Sequence, residues 1–271
     1  MPKRYNLLPL ALFLLVKSFI LHAKEFKILA PKNYQNQKNI TVMFKIKTSK
    51  QNSFVRAYPS IVALKDNKLI FEDNSTLTYS DSKERTFKEK LKNPTPKDML
   101  SIAYKPSIKI TPPTKNDDSG RFRNEKLFKK LYGKNKAEIE KNLTKLTWLD
   151  GSTIYFNKRQ NALKQLQKVI DELKTLPSEY KKFLSPIGGA FYYRYIKDTE
   201  RLSTHSFAIA IDLNVANSSY WKWDKTYKYK NKLPLKIVEI FEKYGFIWGG
   251  RWYHYDTMHF EYRPELFESI D

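Results

Sequence analysis

Ser203-Thr204-His205-Ser206-Phe207-Ala208-Ile209-Ala210-Ile211-Asp212, followed near the C-terminus by Asp256-Thr257-Met258-His259, is the text that decides how this chain is read. The chain has four histidines, His22, His205, His254 and His259, and three of them fall in its last quarter. A neutral imidazole is a good ligand for a divalent transition metal, and a carboxylate supplies a hard third ligand. If a strand begins near Phe207, residues 208, 210 and 212 share one face. The small Ala208 and Ala210 then leave room beneath an ion, and Asp212 projects towards it. His205 lies on the turn before that strand and folds back to the same ion. If His259 opens a second strand, Asp256 lies on the loop before it, beside the metal without binding it. Three protein ligands with one open position describe a catalytic zinc, whose water has its pKa lowered towards about 7. A neighbouring carboxylate then takes that proton and passes it to the leaving amine. His254 is five residues from His259, so in extended chain the two point to opposite faces. It is read as facing substrate or as structural.

Working outward, the stretches around this core read as short strands and segregated helices. Strands are expected at Phe191 to Ile196, Phe207 to Leu213, Phe246 to Trp248 and Met258 to Tyr262. Helices are expected at Asn124 to Tyr132, Lys136 to Leu146, Asn157 to Leu176 and Pro234 to Tyr244. Leu163, Leu166, Ile170 and Leu173 make an apolar stripe at helical spacing, and Gly133 and Gly245 act as stops. Residues 59–80 read as a hairpin with its turn at Lys65-Asp66-Asn67-Lys68. Ile40 to Ile46 is a candidate strand, and residues 105–120 read as a linker or long surface loop. The expected class is α+β: a small antiparallel sheet carrying a zinc site, packed with helices, plus an N-terminal extension.

Lys3 and Arg4, the apolar run Leu7 to Val16 and Ala23 form a signal-peptide pattern, which predicts export to the periplasm or cell envelope. Membrane attachment is expected only through an uncleaved form of this segment. Domains are therefore expected at 1–23 (signal peptide), 24–115 (role open) and 116–271 (metal domain). The absence of cysteine excludes disulfides, thiolate zinc sites and a cysteine nucleophile. The net charge is +22, yet residues from Pro186 onward carry 12 Lys/Arg against 11 Asp/Glu, and residues 1–185 carry 38 against 17. The basic half invites an anionic envelope polymer. An export signal and a nearly neutral metal segment argue against nucleic acid.

The spacing Ser203-x-His205-x-x-Ala208-x-Ala210-x-Asp212 with Asp256-x-x-His259 resembles the signature of peptidase family M15. These are the VanY- and VanX-like zinc D-alanyl-D-alanine carboxypeptidases and related L-alanyl-D-glutamate endopeptidases. Gly188-Gly189-Ala190-Phe191, Arg201-Leu202-Ser203, Tyr220-Trp221 and the run Phe246 to Glu261 extend the likeness, which covers about Pro186 to Leu266. The resemblance implies one zinc ion held by His205, Asp212 and His259, with Asp256 as acid/base. It implies that Arg194 polarises the scissile carbonyl, and it associates Ser203 with the substrate carboxylate; His254 is a further substrate-facing candidate. Glu261 and Trp248 are expected to be supporting residues, more structural than chemical. The implied activity is hydrolysis of a peptide bond in peptidoglycan stem peptides, of D,D-carboxypeptidase or L-Ala-D-Glu endopeptidase type. The competing reading is a non-catalytic wall-binding protein with a structural or degenerate metal site. One departure stands out: Ala208 occupies a position where the family pattern has Gly, which matters if the backbone there needs positive φ.

Overall fold

Asn124 caps the helix Glu125–Tyr132 by accepting the Leu127 N–H at 2.8 Å, and Leu127, Phe128, Leu131 and Tyr132 line its buried face. Gly133 stops it at φ 136, a conformation that favours glycine; a Cβ there would lie 2.9 Å from Ile139. We obtained a computed structural model, which describes residues 52–197 and 199–267. The signal-like segment 1–23 and the candidate strand Ile40 to Ile46 lie outside the described residues.

The described residues begin with a short helix, Ser53–Ala57, and a three-stranded antiparallel meander: β1 (Ile61–Lys65), β2 (Lys68–Phe71) and β3 (Thr76–Thr78). The expected hairpin is present, with Asp66 and Asn67 both at positive φ in its turn. Residues 87–92 and 96–99 are short helices, each opened by a threonine capping box.

Two expected helices are shorter than their apolar spacing suggests. The helix Lys136–Lys141 ends at Asn142, and the chain continues as β4 (Leu143–Thr147), paired antiparallel with β5 (Thr153–Asn157). Thr144 and Thr147 suit a strand, and the Asp150-Gly151-Ser152 turn closes it, with Asp150 accepting the Ser152 N–H. Asn157 is therefore a strand residue. The next α-helix starts only at Ala162, after Gln160 and Asn161 adopt positive φ, and ends at Leu173. Leu166, Val169, Ile170 and Leu173 form its buried face, each such side chain contributing about 1.5–3 kcal/mol.

The sheet that carries the site has the order β6 (Ala210–Asp212), β8 (His259–Tyr262), β7 (Phe246–Trp248), all antiparallel. The helix Leu235–Lys243 packs Ile237, Val238, Ile240 and Phe241 against it, with the Phe241 ring stacked 4.0 Å from that of Phe260. Pro234 sits at its N-cap, one position before the first helical turn.

Two expected strands are corrected. Phe191 to Ile196 makes no ladder beyond a single Tyr195–Leu202 bridge. The Ser206 hydroxyl takes the Arg194 N–H at 2.9 Å and donates to the Arg194 carbonyl at 2.7 Å, which satisfies locally what a partner strand would have offered. Phe207 to Leu213 is a strand only from Ala210, because Thr204–Phe207 is a 3₁₀ turn ending in a left-handed Ala208. The expected α+β class, with small antiparallel sheets packed by helices, holds.

Residues from Asn52 on form one compact unit with a shared core. Phe54 and Tyr58 belong to the same apolar cluster as Phe241 and Phe246, and Gln160 Nε2 donates to Ser60 Oγ at 2.7 Å. The segment 105–120 is irregular as expected, yet its end is not surface: Asp118, Ser119 and Gly120 are buried. No helix among the described residues is long and apolar enough to cross a membrane.

Candidate active site

The register of β6 against β8 sets Asp212 directly opposite His259. The 3₁₀ turn before β6 carries His205 to the same place. Ser203 caps that turn, its Oγ accepting the His205 N–H at 3.3 Å. Ala208 then reverses the chain at φ 52, ψ 45, and its carbonyl accepts the Asn157 N–H at 2.9 Å. Asn157 Nδ2 also donates to the Phe207 and Tyr132 carbonyls, both at 3.1 Å, so β5 and the 125–132 helix clamp the turn from below. The left-handed conformation costs a non-glycine residue about 1–2 kcal/mol, which this clamp offsets.

Three ligand atoms converge. His205 Nε2 lies 3.2 Å from both His259 Nδ1 and Asp212 Oδ1, and His259 Nδ1 lies 2.9 Å from Asp212 Oδ1. Tetrahedral zinc with bonds of about 2.0–2.1 Å has ligand–ligand edges of about 3.3 Å. The triangle thus fits a small divalent ion. The outer nitrogen of each ring is fixed as well: His205 Nδ1 donates to the Ala190 carbonyl at 2.6 Å, and His259 Nε2 meets Glu261 Oε2 at 3.1 Å. This orients both rings and leaves an inner nitrogen free to bind a cation.

The electrostatics point the same way. Burial alone would lower the His259 pKa, but its hydrogen bonds to Asp212 and Glu261 outweigh this and push it up to about 10. Burial would raise Asp212 and Glu261; instead both are held well below the carboxylate range, Asp212 by the two histidines and Glu261 by Arg123, His259 and Arg263. Negative charge therefore surrounds the point where the ring nitrogens meet, a setting that favours a cation.

Asp256 stands beside this triangle. Its N–H donates to the Gly249 carbonyl at 3.0 Å, and a Cβ on Gly249 would lie 2.5 Å from the Asp256 carbonyl oxygen, so only glycine fits there. Its Oδ1 is buried and has no hydrogen-bond partner among the described residues. Burial, then the charge of Asp212, raises its pKa to about 6. An unsatisfied buried carboxyl oxygen beside a cation site is a ready proton acceptor.

Of the other expected site residues, Arg194 is exposed and its guanidinium makes no hydrogen bond or ion pair among the described residues. Its charge acts on the Tyr220 hydroxyl, as do those of Asp256 and Arg121. The Ser203 hydroxyl is occupied in the turn. His254 is not among the converging ligands. Its Nδ1 lies 2.7 Å from Asp118 Oδ2 and 2.6 Å from Arg121 Nη1, and its ring stands edge-on to Trp221 at 4.6 Å.

Asp118, Arg121 and Arg123 escaped sequence reasoning. Asp118 orients His254, and Arg123 Nη2 pairs with Glu261 at 2.8 Å. Glu261 has the supporting place expected of it: it holds a ligand ring. Since His259 and Glu261 are two apart on β8, strand alternation signals a shared face. Trp248 is buried, and its indole N–H donates to the Thr257 carbonyl at 2.9 Å, which makes it structural.

Residues 197–262 match a family model described as D-alanyl-D-alanine carboxypeptidase, of the peptidase M15 group. The matched stretch contains His205, Asp212, Asp256 and His259, but not Arg194. No curated protein and no solved structure matches the chain. Over residues 197–262 the chain is therefore similar to peptidases of the M15 group, of the D-alanyl-D-alanine carboxypeptidase type.

Proposed function

We propose that the protein is an exported, zinc-dependent peptidase that hydrolyses a peptide bond in peptidoglycan stem peptides. The observation that carries this reading is the meeting of His205 Nε2, Asp212 Oδ1 and His259 Nδ1 within 3.2 Å of one another, beside the unpartnered Asp256 Oδ1. His205, Asp212 and His259 would hold one zinc ion, which supplies Lewis acidity for the attack of water on a carbonyl. Asp256 accepts the proton of the attacking water at Oδ1 and returns it to the leaving amine. Arg194, whose guanidinium has no hydrogen-bond or ion-pair partner among the described residues, offers a planar, permanently charged fork to the carbonyl oxygen as charge develops on it. His254 is held by Asp118 and Arg121 against the Trp221 edge, where it serves as a wall for the substrate.

Export is read from residues 1–23, and attraction to an anionic envelope from the basic excess of residues 1–185. D,D-carboxypeptidase and L-Ala-D-Glu endopeptidase cleavage both suit this chemistry. Incubating the zinc-loaded chain with muropeptides, with and without a chelator, tests the proposal. New fragments that vanish with the chelator and return with zinc are expected. A zinc-loaded protein that binds sacculi and releases no fragment would instead support a wall-binding role.

A further inference from the structure

Of the three neighbouring arginines Arg121, Arg123 and Arg201, two are paired with acids among the described residues. Arg121 is paired with Asp118 at 3.0 Å, and Arg123 with Glu261 at 2.8 Å. Among the described residues Arg201 has no carboxylate within ion-pair distance, and the hydrogen bond of its side chain runs from Nη1 to the Arg121 carbonyl at 3.4 Å. The one acid whose charge reaches it, Glu125, is already engaged: Oε1 pairs with Lys129 at 2.6 Å and Oε2 accepts the Leu202 N–H at 3.0 Å. Arg201 is half-buried, and its charged form is opposed first by burial and then by its neighbours Arg123 and Arg121. A guanidinium removed from water among like charges is costly unless an anion completes it.

Its place ties this vacancy to the site. Arg201 lies four residues before His205, next to the short Tyr195–Leu202 bridge. Arg123, one of its two cationic neighbours, grips the carboxylate that orients His259. Arg121, the other, borders His254 and acts on the same Tyr220 hydroxyl as Asp256. Arg201 thus neighbours both the arginine that supports a ligand ring and the arginine that borders His254.

We propose that Arg201, with Arg121 beside it, is a binding subsite for a free carboxylate of the substrate, and that this subsite selects peptides by that charge. It rests on the reading of the site as a stem-peptide hydrolase. Two carboxylates offer the same chemistry, the C-terminal α-carboxylate and a side-chain or branch carboxylate. A planar guanidinium receives either through two parallel hydrogen bonds.

The test uses the zinc-loaded full chain and three versions of one stem peptide: unmodified, amidated at the C-terminus, and amidated at the side-chain carboxylate. One of the two amides is expected to raise KM about tenfold or more with kcat little changed, which identifies the carboxylate bound. In Arg201→Gln the unmodified peptide should acquire that same high KM, while the amide is processed as by the parent. Arg201→Lys, which keeps charge without the fork, should recover part of the difference. Zinc content and thermal melting of both variants separate this from misfolding. Equal KM for all three peptides with the parent, or a Gln variant that still discriminates, overturns the subsite and leaves the hydrolase reading standing. If the parent cleaves none of them, the hydrolase reading falls, and calorimetric binding of the same peptides decides the subsite. A preference for the free carboxylate that Arg201→Gln abolishes supports it, and no preference overturns it.

Discussion

Behind the metal triangle nearly every charge is paired; in front of it several are not. At the back, Glu261 accepts from Arg123 at 2.8 Å and Arg263 at 2.9 Å, Arg263 Nε reaches Glu265 at 2.6 Å, and Glu265 accepts the Tyr58 hydroxyl at 2.5 Å. Arg263 Nη1 also donates to the Gly120 carbonyl at 2.7 Å, which leaves only its Nη2 without a partner among the described residues. At the front, Asp256 Oδ1, Arg194 and Arg201 have no charge partner among the described residues. Buried charge is tolerated where it is fully paired, and it then rigidifies what it touches. Charge left unpaired is retained where something else completes it. The back wall thus fixes the ligand geometry, and the front wall awaits substrate and water.

This contrast can be broken by substitution. Asp256→Asn should lower kcat by about 10²–10⁴ while leaving zinc content and melting temperature unchanged, because nothing in the fold leans on its Oδ1. Muropeptide turnover measured beside metal analysis checks this, and a large loss of stability would blur the contrast. Glu261→Gln, on the back wall, should cost about 3–5 kcal/mol in denaturant unfolding, since two buried guanidiniums lose their shared charge partner. It should also weaken zinc binding about 10–100-fold through the loosened His259 ring. Tyr58→Phe removes one hydrogen bond to the far end of the same network. A loss of about 1.5–3 kcal/mol with unchanged zinc affinity is expected, and an altered affinity would show that the network transmits further than its contacts. Ala208→Gly should have the smallest effect, a gain of about 1 kcal/mol or less. Relief of the left-handed strain is partly offset by the entropy glycine loses on folding. Thermal melting would detect it.

The metal triangle was legible because His205 and Asp212 share one short turn-and-strand segment and His259 opens a second strand, so local spacing translates into position. The Ala208 departure was legible for the same reason: the question of positive φ was posed by one residue, and the backbone answers it with φ 52. Segments that failed did so for identifiable reasons. Ile139, Leu143 and Leu146 recur at intervals that suit a helix, yet Leu143 and Leu146 belong to β4, where pairing with β5 outweighs local periodicity. The aromatic run at Phe191 to Ile196 has strand composition, but Ser206 supplies its backbone partners from a turn. Asp118, Arg121 and Arg123 were illegible because their partners His254 and Glu261 lie far along the chain. No spacing rule brings an irregular loop to a half-buried histidine across such a separation. The unpaired front charges were likewise invisible, since absence of a partner is a property of the folded chain.

The most direct test of the account is zinc stoichiometry measured together with mass-spectrometric product analysis on defined stem peptides, for the parent and for Asp256→Asn side by side. The account predicts one zinc per chain in both proteins, a single cleaved peptide bond with the parent, and about 10²–10⁴-fold slower release of the same product with the variant. Equal cleavage by the two proteins would contradict it.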